Sequence, residues 1–147
     1  MSTTFHGRPV MAGDLRGEAL VSHRPFNTLA SLLRSLTMGS RTAVCSDQDN
    51  LELRGKVLTG KLLCLPQTIG STAAGLVLET AAHRGIAPRA LLFSGPVDTL
   101  AASGVILADV WLGKRIVVVD RLGQEFLEHV RDGQQLEVRA DGTVIAG

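Results

Sequence analysis

Three short apolar runs that alternate with helical segments constrain the fold of this chain more than any other feature. The runs lie at residues 56–65, 90–94 and 115–120, and Leu, Val or Ile occupies both alternating faces. Such a pattern is typical of strands that are covered on both sides. Segments 73–84 and 97–103, which separate the runs, have helical character. Because this order indicates parallel strands joined by right-handed crossovers, we predict an α/β fold with a parallel β-α-β core.

Shorter elements flank this core. Residues 5–22 combine apolar pieces with glycines, which predicts strands and tight turns, and 18–22 is the clearest strand. Leu29, Leu32, Leu33 and Leu36 have the spacing of one face of a helix, here called the leucine stripe. The stripe predicts an amphipathic helix at 28–36, with Asn27 or Thr28 as its N-cap and Gly39 as its end.

The remaining segments are a polar stretch before the core and two short elements after it. The polar segment 40–55 predicts a long surface loop. Residues 124–130 predict one or two helical turns, and the AspGly pair inside 135–145 predicts a C-terminal β-hairpin.

The helix predicted at 73–84 is nearly all apolar and therefore buried. Gly75 permits close contact with a neighbouring element. Gly85, followed by Pro88, is expected to end this helix, because glycine tolerates positive φ and proline does not continue a helix.

Length and composition limit the class of protein. A chain of 147 residues, 45% of them hydrophobic, has enough apolar surface for one core, so we treat residues 1–147 as a single domain. Basic and acidic residues are interspersed and give a formal net charge of +1, which argues against a nucleic-acid partner. The sequence contains neither a membrane-spanning run nor a secretory leader pattern, so we expect a cytoplasmic protein without a membrane partner.

The cysteines and histidines predict no disulfide and no metal site. Cys45 and Cys64 lack CxxC spacing. We interpret Cys64 as a buried thiol, and Cys45 either as an ordinary loop cysteine or as a metal ligand. The histidines share no ligand spacing and have no Cys, Ser or Asp partner in the sequence; they lie at positions 6, 23, 83 and 129.

The turn formed by Gly70, Ser71 and Thr72 is the candidate site, because it joins a predicted strand to a predicted helix. Ligands of α/β sheets bind at the carboxyl ends of strands, where a helix N-terminus offers free N–H groups and a positive dipole end. We expect Gly70 and Thr72 to contact a carboxylate or phosphate, and Ser71, with a lowered hydroxyl pKa, to abstract a proton. Ser and Thr also cap ordinary helices, so the spacing alone leaves a structural role open.

Two carboxylates near strand ends are further possibilities. Asp109 and Asp120 are either site residues or structural turn and capping residues. The sequence contains no Walker A or GxGxxG pattern, so no motif supports nucleotide binding.

A series of short motifs runs through most of the chain in a recognisable order. A strand ends at Pro66, GlySer follows at 70–71, and an apolar helix leads to GIAP at 85–88 and LAASGVILA at 100–108. In this order, and in GEALVS at 17–22, the chain resembles the swivel-domain proteins of the aconitase X family. The resemblance implies a swivelling β/β/α domain that docks onto a larger catalytic subunit.

The same resemblance implies a function. Activities in that family are dehydrations of small hydroxy acids, including phosphomevalonate and cis-3-hydroxyproline. The serine that follows glycine looks like the base of aconitase swivel domains, and it falls on Ser71 here. The implied metal ion or iron-sulfur cluster belongs to the larger subunit, and no cofactor is expected on this chain alone.

One segment departs from the family pattern and keeps other functions open. Where members have Pro-x-Ser-Phe and then GGVD, this chain has PFNTLASLLR at 25–34, so the substrate is not defined. A mobile phosphohistidine carrier is suggested by RDGQQLEV at 131–138, although no histidine has the Gly-rich setting of such carriers. A non-enzymatic assembly subunit is the third possibility, with the leucine stripe as a protein-binding face.

Overall fold

Three helices pack on one face of a curled sheet and a fourth packs into the core on its other face, in residues 2–70 and 72–147, which the computed structural model describes. The strands are β1 (Thr3–His6), β2 (Arg8–Met11), β3 (Leu15–Val21), β4 (Phe26–Asn27), β5 (Leu62–Leu65), β6 (Thr68–Ile69), β7 (Ala90–Phe93), β8 (Val117–Asp120), β9 (Gln135–Val138) and β10 (Thr143–Ala146). The helices are α1 (Thr28–Thr37), α2 (Ala74–His83), α3 (Thr99–Leu112) and α4 (Gln124–His129). Each of these helices is too short or too polar to cross a membrane.

Four neighbouring parallel strands form the centre of the sheet. The strand order is β1-β10-β9-β3-β5-β7-β8-β2, and β3, β5, β7 and β8 run in one direction. Helix α2 connects β5 to β7, and α3 connects β7 to β8. The predicted α/β fold with a parallel β-α-β core is therefore confirmed.

The central strands are buried on both faces. On β5, Leu63 and Leu65 belong to an apolar core shared with the helices, whereas Leu62 and Cys64 belong to a second core shared with β9 and β10. All four side chains have no exposed surface. Burying both faces is what a run of consecutive apolar residues requires, because successive side chains of a strand point in opposite directions.

The sheet curls so that its two outermost strands meet. β1 and β2 lie at opposite ends of the strand order but are separated in the chain only by Gly7. The Gly7 N–H donates to the Gly142 carbonyl at 3.0 Å. The outer strands β1, β10 and β9 thus fold over the central strands, and the layers follow the predicted β/β/α order with the predicted C-terminal hairpin.

Helices α2 and α3 touch through two glycines. A Cβ atom on Gly104 would lie 2.5 Å from the Gly75 carbonyl oxygen, and one on Gly75 would lie 2.8 Å from the Leu100 carbonyl oxygen. No side chain fits at such distances, so both glycines are needed for backbone contact. The close approach predicted for Gly75 is confirmed.

Two boundaries differ from the sequence prediction. The strand predicted at 56–65 is confined to its last four residues, because the chain turns at Gly60, whose φ is +74°. The helix predicted at 97–103 extends to Leu112, because Gly104 serves helix contact rather than helix termination. The helix predicted at 28–36 is confirmed, with Asn27 Oδ1 accepting from the Ala30 N–H at 3.0 Å.

Segment 40–55 is a loop without helix or strand, as predicted, but part of it is buried rather than on the surface. Ala43, Cys45 and Leu53 of this segment are buried in the core beneath the helices. Asn50 is buried as well, and its Oδ1 accepts from the Leu53 N–H at 3.1 Å. Asn50 thus satisfies a backbone group inside the fold, whereas Gln48, Asp49 and Arg54 face water.

Replacing Gly104 with alanine is expected to destabilise the protein by about 1–3 kcal/mol, because the new methyl group would push α2 and α3 apart. Urea unfolding of the wild type and the variant measures the difference. Ser103→Ala is the control, because Ser103 is the exposed preceding residue of the same helix. Equal stability of Gly104→Ala and the control would contradict the predicted helix contact.

Candidate functional site

The carboxyl ends of the parallel strands and the beginnings of three helices share one edge of the sheet, here called the carboxyl edge. β5, β7 and β8 end there at Leu65, Phe93 and Asp120. Beyond β5, the short strand β6 pairs in parallel with β4, which leads directly into α1. The turn at 70–72 follows β6 and leads into α2, so the candidate site lies on this edge.

The backbone of the turn has a conformation that favours glycine. Gly70 has φ +118°, and both Gly70 and Thr72 are exposed. Helix α2 begins at Ala74 and its N-cap is Ala73, whose side chain makes no capping hydrogen bond. The N-cap therefore falls after Thr72. Ser71, the predicted base, lies outside the described residues, and its role stays a prediction.

Asn27 packs directly against this turn. A Cβ atom on Gly70 would lie 2.6 Å from Asn27 Oδ1, the same oxygen that caps α1. The pairing of Asn27 with Ile69 between β4 and β6 fixes the two segments side by side. The beginning of α1 thus forms one wall of the turn.

Asp98 links the other side of the turn to α3. Its Oδ1 accepts from the Ala101 N–H at 2.8 Å, which caps α3, and its Oδ2 accepts from the Thr68 hydroxyl. Sequence reasoning missed this residue, although an aspartate just before an apolar helix is a usual N-cap signal. A cleft of about 220 Å³ opens here, lined by Thr68, Ile69, Gly70, Ala74, Asp98, Thr99 and Leu100.

Asp120, the last residue of β8, has a structural role. Its carboxylate is completely buried and accepts from Arg8 Nε at 2.9 Å, from Arg8 Nη2 at 2.7 Å and from the Val97 N–H at 2.8 Å. Burial alone would raise the pKa of Asp120, but these hydrogen bonds outweigh it, so the pKa lies below its ordinary value. Asp120 therefore ties the edge strand β2 to the segment that precedes α3.

The other predicted candidates lie apart from the turn. Asp109 pairs with Arg115 at 3.0 Å near the C-terminal end of α3. Cys64 is buried, which raises the pKa of its thiol, and Cys45 is buried too rather than exposed in a loop. His23 Nδ1 lies 2.8 Å from Glu52 Oε2, and this hydrogen bond raises the pKa of His23.

The remaining histidines also lie elsewhere. His6 is exposed on β1, His83 is exposed at the end of α2, and the His129 ring lies 5.6 Å from the Phe5 ring. Among the described residues, no three His, Cys, Asp or Glu side chains come together as metal ligands.

These layers and this edge define a β/β/α domain whose open turn lies at the carboxyl ends of parallel strands. The family model of the aconitase X swivel domain matches residues 4–146. The chain belongs to this family, as the motif order predicted.

Relatives of similar length support the assignment. The chain is 31% identical over 135 residues to the phosphomevalonate dehydratase small subunit of Thermococcus sibiricus, covering 92% of this chain and 91% of the relative. It is 29% identical over 140 residues to the protein of the same name from Aeropyrum pernix, covering 95% of this chain and 90% of the relative.

Two solved structures have the same fold. The crystal structure of Thermococcus kodakaraensis aconitase X in its holo form matches with a TM-score of 0.82 and 27% identity, covering 99% of this chain and 98% of that one. The solution NMR structure of a UPF0107 protein matches with a TM-score of 0.76 and 26% identity, covering 97% of both chains. The predicted swivel-domain architecture is confirmed.

Replacing Gly70 with alanine is expected to destabilise the protein more than replacing Gly60, by at least about 1 kcal/mol. Both glycines have positive φ, but a methyl group meets Asn27 at Gly70 and nothing within 4 Å at Gly60. The difference in urea midpoint between the two variants reports the contact with Asn27 together with the φ of +118° at Gly70, which a side chain tolerates less well than the +74° at Gly60. Equal loss of stability would show that Asn27 does not hold the turn.

Asp120→Asn is expected to destabilise the protein at neutral pH, and the difference in stability from the wild type is expected to disappear in acid. Because the folded pKa of Asp120 lies below the unfolded value of about 3.9, its contribution is complete above that pH and disappears as pH falls through the folded pKa. Urea unfolding from pH 7 down to pH 3 measures it.

Asp109→Asn is the matched control, because the Asp109 ion pair with Arg115 is exposed to solvent and contributes little. A stability difference between wild type and Asp120→Asn that stayed constant over this pH range would contradict the buried ion pair.

Proposed function

We propose that this chain is the small subunit of a dehydratase that removes water from a small hydroxy acid, and that phosphomevalonate is the first substrate to test. The observation that carries the proposal is the match to relatives named phosphomevalonate dehydratase small subunit over 92% of this chain and 91% of the relative. The open turn at the carboxyl edge supports it, because ligands of α/β proteins bind at such edges.

In this reaction the turn binds the substrate and removes a proton. The carboxylate of the substrate lies against the Gly70 backbone and Thr72, near the positive end of the α2 dipole. The Ser71 oxygen takes the proton from the carbon next to the carboxylate, and the electron pair of that C–H bond forms the new double bond. The hydroxyl on the adjacent carbon leaves, and the products are an unsaturated acid and water.

The surroundings of the turn support precise positioning of these residues. Asn27 holds one side of Gly70, and the Thr68–Asp98 hydrogen bond holds the other. Because Asn27 and Asp98 also cap α1 and α3, movement of the turn would disturb two helix ends. Fixed neighbours on both sides of Gly70 favour a defined position for a bound substrate, which is a condition for efficient proton transfer.

We assign the metal ion or iron-sulfur cluster to the larger subunit. When bound, such a group acts as a Lewis acid that helps the substrate hydroxyl to leave. Because the site is divided between two subunits in this way, the isolated chain is inactive.

Exposed apolar side chains beside the cleft support the docking of a larger subunit at this edge. Leu76 is 65% exposed, Ile69 is 47% exposed and Leu100 is 37% exposed, and Ile69 and Leu100 also line the cleft. Apolar residues next to a site are covered when a partner closes over it. Closure would exclude water from the substrate, and residues 1–147 would move as one swivelling domain.

The two other functions have less support. In the leucine stripe of α1, Leu32 is completely buried and Leu36 packs against the core, so the stripe is mainly internal. A phosphohistidine carrier needs an accessible histidine in a Gly-rich turn, and His129, the nearest to segment 131–138, lies in helix α4.

Ser71→Ala is expected to lower the rate of water elimination by a factor of at least about 100, because general bases typically contribute that much. The assay combines the chain with its larger subunit and follows the unsaturated product from phosphomevalonate. Subunit association, measured by size-exclusion chromatography, should be unchanged.

Ser40→Ala is the matched control. Ser40 lies beyond the far end of the ten-residue helix α1, about 15 Å from its Asn27 cap. Full activity of Ser71→Ala would remove Ser71 from the mechanism. Transfer of phosphate from a labelled donor to a histidine of the chain would support the carrier instead.

A further inference from the structure

Arg121 has a backbone conformation that its side chain disfavours. Its φ is +58°, and it is the one residue other than glycine with positive φ in the described part of the chain. A residue with a Cβ atom pays about 1–2 kcal/mol for this conformation. Strain of this kind persists where the surrounding structure imposes it, and it is found frequently at functional sites.

The strain is imposed by backbone hydrogen bonds on the carboxyl edge. The Arg121 N–H donates to the Gly95 carbonyl at 2.9 Å, and the next two residues donate to Phe93 and Ser94. The chain then enters α4, and Leu122 is buried in the core beneath the outer strands. Arg121 itself stays exposed.

The charge of Arg121 acts on Asp120 from a distance, where it helps to lower the pKa of that carboxyl. Its guanidinium makes no hydrogen bond and no ion pair with a described residue, although the buried carboxylate of Asp120 is its neighbour in sequence. That carboxylate is already satisfied by Arg8 and by the Val97 N–H. Arg121 is therefore available to a ligand or partner above the edge.

The position of Arg121 relates it to the candidate site. Gly95 accepts from Arg121, and the Gly95 N–H donates to the Pro66 carbonyl at 3.4 Å. The backbones at Arg121, Gly95 and Pro66 thus lie side by side on the edge. Arg121 and Pro66 are separated by two strand spacings, or roughly 10 Å. Pro66 begins the segment that leads to Gly70. Arg121 and Gly70 therefore lie on the same edge, although Arg121 does not itself line the cleft at Gly70.

We propose that Arg121 binds an anionic group of the substrate at the end opposite to the reacting carbon. The assignment rests on the proposed function, and it identifies the substrate as an acid with a second anionic group, for which a phosphate is suited to the planar guanidinium. Gly70 and Thr72 then hold the carboxylate, and Arg121 sets the length of substrate that the site accepts.

Binding, rather than turnover, tests this assignment. The chain carrying Ser71→Ala is assembled with the larger subunit, and phosphomevalonate and unphosphorylated mevalonate are titrated by calorimetry. Adding Arg121→Ala is expected to weaken phosphomevalonate binding by about 10- to 100-fold, the range expected for a charged hydrogen bond. Mevalonate binding should change by less than about 3-fold, and Arg121→Lys should restore part of the affinity.

Control variants separate this assignment from other roles of Arg121. Arg41→Ala removes an exposed arginine from the loop after α1 and should leave both affinities unchanged. Arg121→Gly removes the same charge and relieves the strain, so it should raise the urea midpoint while weakening phosphomevalonate binding as much as Arg121→Ala does.

The outcomes distinguish failure of Arg121 from failure of the proposed function. Unchanged phosphomevalonate affinity in Arg121→Ala, equal loss for both compounds, or loss of subunit association alone would each overturn the assignment to phosphate. Absence of binding to the Ser71→Ala complex would overturn it as well. Binding with the expected dependence on Arg121, but without water elimination by the wild-type complex, would support Arg121 and reject the dehydratase.

Discussion

Burial of the four central strands on both faces is the constraint on which the rest of the structure depends. β5 illustrates it, because Leu63 and Leu65 pack under the helices while Leu62 and Cys64 pack under the outer strands. A parallel strand covered in this way cannot shift its register without exposing one set of side chains to water. The strands are therefore held in register, and their carboxyl ends form one edge from which the helices begin. Without that edge, Gly70 and Arg121 would have no fixed relation.

Polar contacts convert this edge into a defined surface. Asp98 caps α3 and holds Thr68, Asn27 caps α1 and packs on Gly70, and Asp120 binds both Arg8 and the Val97 N–H. Each of these side chains joins two segments that are distant in sequence. Because breaking one contact leaves a buried or capping group unpaired, the contacts are costly to lose. Gly70, which follows β6, is thus supported from both sides.

The sequence predicted those features that arise from local periodicity. Apolar runs identified β5, β7 and β8, and AspGly identified the hairpin, because strand burial and turn chemistry depend on neighbouring residues. The burial of Cys45 and Leu53 was not predictable in this way, since side chains of distant elements cover a segment that is polar on average. The hydrogen bond from Thr68 to Asp98 and the meeting of β1 with β2 also depend on tertiary contacts. The motif order located the candidate turn, but Arg121 carried no sequence signal, because its significance lies in its φ and in a guanidinium that makes no hydrogen bond with a described residue.

The central claim is that the carboxyl edge faces the larger subunit. Hydrogen–deuterium exchange of this chain, alone and assembled with that subunit, tests it most directly. We expect backbone amides in residues 66–76, 94–100 and 121–123 to exchange more slowly after assembly, and those in β1, β9 and β10 to be unchanged. Protection confined to β1, β9 and β10, or no protection at all when the two proteins coelute, would contradict it.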